Sequence, residues 1–459
     1  MTASIIKKNV RINQIWENIL LGLPEKCKSK EVVGELPFVS RLRESAISEA
    51  KTINFPTKQD ENWKFINLSE LSNIQFKPTQ SVATIFADDL SSLILPEAKE
   101  SRLIFVNGEY TPELSNVSAL PKGVYVGNLM ELPESKKDKV VYYLGKNKEE
   151  EDLFSLTNTA NLHHVAIVWV DPNIIVDIPI DLFFISVPTD SSGLIQPRVL
   201  VIAETGSSVT FVENYTAIAQ ECYDTAENKP YLVNGVTEIF LEDNAHVNHS
   251  RIQRELGDSF HIGQTKIIQN QESRYICNNI SLGAKLSHHT LKVFQQGKQT
   301  ETYLNGLTMV SDLQISDTHS AVHLNYPHGT IRQLHKCIID DHGHGIFNGK
   351  IFVPKSAQLT SADQLNRNLL LSSKARIDTK PELQITADNI KCSHGATISQ
   401  LESDELFYLR SRGLSQNDAR NLLIDAFATE ILDRLPLESL RKRLTQCVAC
   451  RTLEFQTSY

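Results

Sequence analysis

The chain of 459 residues is poor in several features that mark specialised protein classes. It has no surplus of Lys and Arg: 46 basic residues stand against 55 acidic ones, a formal net charge of -9. A surface that neutralises phosphates needs the opposite balance, so nucleic-acid binding is excluded as its main business. Short basic runs such as Lys136-Lys137 and Arg441-Lys442-Arg443 read as solvated faces. The seven cysteines are odd in number and scattered, unlike a secreted disulfide framework, and they fit reduced thiols in a reducing compartment. No stretch approaches the roughly 18 apolar residues that span a bilayer. The amino terminus lacks an apolar core followed by a small-residue cleavage site, so no secretory signal is expected. The chain reads as soluble and cytoplasmic, with a plastid as the alternative compartment if a transit peptide has been removed. Also missing are a Walker-type loop, a G-x-G-x-x-G after a strand, a G-x-S-x-G elbow and an H-E-x-x-H pair, which leaves ATP- or NAD-dependent chemistry without support.

What is present has an ordinary globular balance, 41% hydrophobic and 22% charged, and enough length for two or three structural regions. The first region, residues 1–84, is expected to be helical. "FVSRLRESAISEAK" carries Phe38, Val39, Leu42, Ala46 and Ala50 at helical spacing, and Pro56 ends it,. Trp63, in "DENWKFINLSEL", reads as a core anchor at a junction. From residue 85 to 394 the pattern changes to short aliphatic and β-branched runs: "HHVAIVWV", "RVLVIAE", "VTFVEN", "TEIFLED", "TKIIQNQ", "IFNGKIFV" and "PELQITA". So many strands without intervening helices imply an all-β domain. Sandwich, propeller and β-helix all remain open on this basis. A degenerate near-repeat, "NAHV" at Asn244, "SAQL" at Ser356 and "KARI" at Lys374, has its last two copies 18 residues apart, which suggests one coil of a solenoid.

Residues 395–459 return to helix. Ser415 and Asp418 resemble a capping box, followed by the stripe Ala419, Leu422, Leu423, Ala426, Phe427 and Ile431; a second helix carries Leu437, Leu440, Leu444 and Val448 on one side,. By spacing alone the stripe serves packing within the domain or contact with a partner.

Three places carry potential chemistry. "DDHGHG" puts His342 and His344 two apart, on one face if the segment is extended, with Asp340, Asp341 and His335 nearby; imidazole is a common ligand of iron and zinc. "CVAC" spaces Cys447 and Cys450 like half a zinc or redox site, but there is no second pair and Cys447 falls on an apolar stripe,. "KCSHGAT" sets Cys392 and His394 on one face if the strand Leu383 to Ile390 continues through them. As metal ligands the two would need donors from elsewhere; as a Cys–His catalytic pair they lack an orienting third group, and on residue chemistry alone an inert Cys beside a hydrogen-bonded His is the favoured reading.

Several separated motifs occur in order along the carboxy-terminal half: "FNGKI", A-x-L-T-x-A-x-Q-x-N-x-N-L-L-L, A-x-I-x-T-x-P-x-L-x-I, K-C-S-H-G-A-T and "LFYLRSRG". Together they resemble the SufB/SufD family of iron–sulfur cluster assembly proteins, and within it the SufD branch. P-x-x-x-D-E-N-W-K-F, from Pro56 to Phe65, is similar to the family's other end. The resemblance implies a mainly β fold, a right-handed parallel β-helix flanked by N-terminal and C-terminal α-helical regions. It further implies a non-catalytic scaffold for de novo cluster assembly and iron acquisition, working with a SufB-like subunit and a SufC-like ABC-type ATPase, or as a homodimer without SufB.

On the same basis His394 and Cys392 are the leading candidate residues for cluster assembly, near the SufB interface; His342 and His344 gain little from the resemblance, whose pattern there is a looser turn, and stay secondary metal candidates on residue chemistry. No cofactor would be held permanently, and iron or an iron–sulfur cluster would pass through transiently. The carboxy-terminal helical region would dock the ATPase, with contacts from Phe407, Tyr408, Leu422, Leu423, Ala426, Phe427 and Ile431. Two other classes compete with this reading. A polysaccharide-processing β-helix enzyme needs acidic side chains clustered along one face, and those here are dispersed. A stand-alone metal enzyme would be built on His335, Asp341, His342 and His344.

Overall fold

The computed structural model describes residues 36–79, 85, 90–146, 151–218 and 229–454; the expected helical character of the first 35 residues lies outside this range. Strands along the chain alternate between two parallel sheets. Leu232–Leu241 lies in the first sheet, His246–Arg254 in the second and Phe260–Gln269 in the first again, and the alternation continues to Arg376–Ile385 and Ile390–Ser399. Each strand pairs in parallel with the next strand of its own sheet, so Phe260 faces Leu286 and His344 faces Arg376. The chain is therefore mainly β, a parallel β-solenoid with helices before and after it in sequence.

From Leu232 onward these registers set the coil at 26 to 32 residues, which corrects the 18-residue spacing read from "SAQL" and "KARI". Ser356 to Leu359 forms one corner of a coil, whereas Lys374 to Ile377 leads into the strand after the opposite corner. The real repeat is conformational. At the same corner of successive coils one residue takes a left-handed backbone: Asn244 (φ 58°), Glu272 (59°), Gln299 (60°), His328 (62°) and Leu359 (60°). The amides of Asn244, Glu272, His328 and Leu359 each donate to a carbonyl of the next coil. Asn and, among larger residues, His occupy this region more readily than most, so stacking overrides local preference at Glu272, Gln299 and Leu359.

Alternation along each strand divides the side chains between interior and exterior. Val247, Tyr275, Ile331 and Ala362 stack in one interior column. The exterior of each sheet is covered by helices. Helix α1 (Pro37–Ala50) lies in the amino-terminal region, whereas α2 (Glu134–Val140) and α3 (Leu153–Ala160) fall within residues 85–394, which were expected to be all-β. Ala46, Trp63 and Phe154 pack on Leu232, Phe260, Leu286 and Ile346 of the first sheet, and Trp63 is the core anchor that was expected. Helices α4 (Ser403–Ser411), α5 (Gln416–Leu432) and α6 (Glu438–Glu454) follow the solenoid. Ile424, Ala428 and Ile431 of α5, with Leu440, Leu444 and Val448 of α6, pack on Ile252, Ile280, Leu307 and Ile338 of the second sheet. Each such large aliphatic contributes about 1.5–3 kcal/mol on full burial.

The two ends of the solenoid differ. At the early end Val124–Asn128 pairs antiparallel with Ala166–Val170 and finishes the first sheet. At the late end Arg376–Ile385 and Ile390–Ser399 finish their sheets with a neighbour on one side only, among the described residues. The last strand passes through residue 394, the expected domain boundary, and stops at Ser399.

Candidate functional site at the open end of the solenoid

Cys392 and His394 lie on this last strand. The strand expected to run from Leu383 through Ile390 into the pair is in fact two: one ends at Ile385, a corner intervenes, and the next begins at Ile390 in the other sheet. Alternation within Ile390–Ser399 still places Cys392, His394, Ala396 and Ile398 on one face. Cys392 faces Ala362 in register and His394 faces Gln364. The His394 column continues through Gln333, Leu304 and Cys277 to His249, and Cys277 and Leu304 belong to the interior core. The pair thus occupies interior positions of a coil that no further coil covers.

The consequences are visible residue by residue. Cys392 is half-buried against the interior core. Burial pushes its thiol pKa up, Asp363 adds to the shift, and the Ala362 amide opposes it. His394 is exposed. Ile398, an interior-type side chain, is 55% exposed. Across the corner Leu383 and Ile385 are also only partly buried against the same core. A thiol and an imidazole supply two donors where a tetrahedral metal or a cluster takes four. Completion requires donors from outside this pair.

The histidines around Gly343 are dispersed. His342 sits exposed in a turn, while Nε2 of His344 meets Asp378 at 2.7 Å. Asp340 pairs at 2.8 Å with Arg420 of α5. His335 is buried, stacked on Phe347 with ring centroids 4.9 Å apart, and its pKa is lowered by burial to about 4. Cys447 is half-buried, its sulfur 3.8 Å from Arg254, while Cys450 is exposed.

Comparison with known proteins bears on this architecture directly. Residues 185–427 match the SUF system FeS cluster assembly SufBD core domain, and residues 26–182 match the SufBD protein N-terminal region. The chain belongs to the SufB/SufD family. An iron–sulfur cluster assembly SufBD family protein of Synechocystis is 50% identical over 90% of either chain. The chloroplastic protein ABCI7 of Arabidopsis thaliana is 34% identical over 88% of this chain and 84% of its own. The iron–sulfur cluster assembly protein SufD of Escherichia coli is 28% identical, covering 85% and 87%. Among the described residues no helix is long and apolar enough to cross a membrane.

The carboxy-terminal helices of this SufB/SufD family chain present only part of the expected partner surface. Phe407 (73% exposed) and Tyr408 (57%) of α4 face outward, as do Leu422 (49%) and Ala426 of α5. Leu423 and Phe427 are half-buried, and Ile431 is fully buried against the second sheet. Ile431 is thus a packing residue in this chain. Two stripes interleave on α5, and the one that faces the sheet is Ala419, Ile424, Ala428 and Ile431. The α5 cap forms as anticipated: the Ser415 hydroxyl accepts from the Asp418 amide at 3.1 Å and donates to its carboxylate at 2.6 Å.

Sequence reading missed a group that only the register assembles. His288 and Asp317 are paired positions on adjacent first-sheet strands, and His319 lies two residues after Asp317. These three are the only described residues whose His, Cys, Asp or Glu ligand atoms gather as a trio, all within 4.8 Å of one another. Burial opposes the Asp317 charge, but the neighbouring His319 and His288 outweigh it and hold its pKa down to about 2. The available signal was a shift of one coil, which lays "LSHHT" over "ISDTH".

Proposed function

We propose that the chain is a non-catalytic SufD-type scaffold of the SUF system. In this reading its open solenoid end joins a SufB-like subunit and its carboxy-terminal helices α4 to α6 receive a SufC-like ABC-type ATPase. The observation that carries the reading is the open end itself: two ten-residue strands, each with one unpaired edge, beside partly uncovered interior side chains. An exposed edge of this kind templates strand addition from another chain. A second parallel solenoid would continue both sheets and cover Ile398, and it would bring donors to Cys392 and His394. Iron or a nascent iron–sulfur cluster is cargo at that junction, with His394 the first ligand and Cys392 the second; His342 and His344 stand apart from it. A second copy of this chain is the alternative occupant of the end when the SufB-like subunit is absent. Phe407, Tyr408, Leu422 and Ala426 form the exposed part of the ATPase contact. The five described cysteines are free thiols, which suits the reducing cytoplasm, or a plastid.

The test is anaerobic co-expression with the SufB-like and ATPase subunits, native mass spectrometry of the complex, and cluster transfer to an apo-acceptor. His394→Ala should leave assembly and folding intact while cluster formation falls. Wild-type cluster delivery by the variant removes the site assignment, and failure to recover a heteromeric complex removes the scaffold reading.

A further inference from the structure

We propose that His288, Asp317 and His319 bind one borderline divalent cation, of the Fe(II) or Zn(II) class, on the outer face of the first sheet beneath Trp63. This site does not depend on the open end or on the reading of that end as a SufB junction. The three side chains are 3%, 2% and 10% exposed. Two neutral-capable imidazoles and one carboxylate form a ligand set suited to first-row divalent metals, with coordination positions left open.

The carboxylate is where the arrangement departs from an ordinary hydrogen-bonded cluster. Asp317 Oδ2 receives a hydrogen bond from His288 Nδ1 at 2.9 Å. Asp317 Oδ1 lies 2.8 Å from His319 Nε2, an ion pair when that ring is protonated, but no well-aligned hydrogen bond joins the two atoms. With a neutral His319 ring, the buried carboxylate oxygen carries a desolvation cost. A cation between Oδ1 and Nε2 would remove that cost, since both atoms would then turn their lone pairs to it. Ligation at about 2.0–2.1 Å asks the three donors to close in from their present spacing of up to 4.8 Å.

The surroundings support ligation in the way outer groups do at metal sites. His288 Nε2 lies 3.1 Å from Thr290 Oγ1; in the tautomer that donates Nε2–H to this hydroxyl, Nδ1 turns a lone pair toward the Asp317 side, where the cation would sit,. Trp63 stacks on the same ring with centroids 4.1 Å apart, and the His288 and His319 rings are 5.1 Å apart. Partial exposure of His319 gives the cation its route in.

The full chain, freed of metal with a chelator, is titrated with Co(II) and followed by equilibrium dialysis, visible ligand-field absorption and tryptophan emission. One equivalent is expected at this site, with quenching that Trp63→Phe removes while binding stays. His319→Ala should lose that equivalent, His394→Ala should keep it, and Thr290→Val should bind roughly 10- to 100-fold more weakly, as loss of an outer-shell partner does. Anaerobic Fe(II) and Zn(II) then compete separately for the Co(II), which identifies the preferred ion. Circular dichroism confirms folding, and His319→Ala, at the most exposed of the three positions, is the decisive variant. The proposal fails if the wild-type chain holds no Co(II), if His319→Ala retains it, or if the bound equivalent follows His394 instead.

Discussion

Ile398→Glu is the perturbation that most directly tests the open end as an interface. In the isolated chain Ile398 is 55% exposed, so roughly half of its transfer free energy remains to be gained. Full burial of an isoleucine is worth about 1.5–3 kcal/mol, which leaves roughly 1–1.5 kcal/mol for a partner that covers it. Glutamate forfeits that term. It also brings an unpaired carboxylate into the contact, at a further cost of several kcal/mol. A total of about 3–5 kcal/mol corresponds to a loss of roughly two to three and a half decades in affinity. The isolated variant should lose only about 1 kcal/mol of stability, because its carboxylate stays in water at the uncovered end. The assay is calorimetric titration against the SufB-like subunit under anaerobic conditions, with thermal melts of each variant alone. Ile398→Val serves as the apolar control and should weaken binding less than tenfold, since Ile to Val typically costs about 0.5–1.5 kcal/mol even in a full core. Wild-type affinity in a folded Ile398→Glu chain would refute the interface.

Two further outcomes probe what holds the scaffold together. His249 is fully buried; burial disfavours its charge, but the Cys277 sulfur and Glu213, whose carboxylate is 3.0 Å away, outweigh this and raise its pKa to about 9. With a folded value above the ordinary 6.5, the stabilisation is complete below pH 6.5 and is lost as pH rises through 9. Melting temperature should fall across that window, and His249→Phe should flatten the decline; a wild-type profile that is flat there rules out the buried imidazolium. Lys336 projects from the second sheet into α5, 2.5 Å from Glu430, 2.8 Å from the Phe427 carbonyl and 4.2 Å from the Phe427 ring centre. Lys336→Met should loosen the docking of α5 by about 1–3 kcal/mol, read as faster amide exchange across Gln416–Leu432 and weaker ATPase binding. Unchanged exchange would show that the apolar contacts alone hold the helix.

The strands that sequence patterning made legible are those whose two faces are both apolar. Ala166–Val170 and Arg198–Ala203 sit at the helix-covered early end and are fully buried, so they read as continuous aliphatic runs. Patterning failed where the interior is polar. His246–Arg254 is mostly buried and Leu286–Gln295 almost entirely so, yet they carry "HVNHSRIQR" and "LSHHTLKVFQ". Their inward His249, Arg251 and His289 each bond a neighbour on an adjacent coil, Tyr275, Asn279 and Thr265 respectively, so no local window shows them as core. The stripe on α5 was ambiguous for a different reason: apolar residues line two adjoining faces of one helix, and only the sheet beneath decides that Ile431 packs inward and Leu422 outward.

The two candidate sites differ in the same respect. Cys392 and His394 are close in sequence, so a motif can find them, but their distinction comes from topology: the same inward positions one coil earlier, Ala362 and Gln364, are buried. His288 and Asp317 are separated by 29 positions and share no motif. In a solenoid the informative alignment is the chain against itself, shifted by one coil. The left-handed corners from Asn244 to Leu359 provide the marks for that shift, although five different residue types occupy them. Once a coil of 26 to 32 residues replaces the 18-residue spacing, His288 falls on Asp317 without any reference to a relative. The K-C-S-H-G-A-T motif falls where the solenoid ends, and the register alone brings His288, Asp317 and His319 together on its outer face.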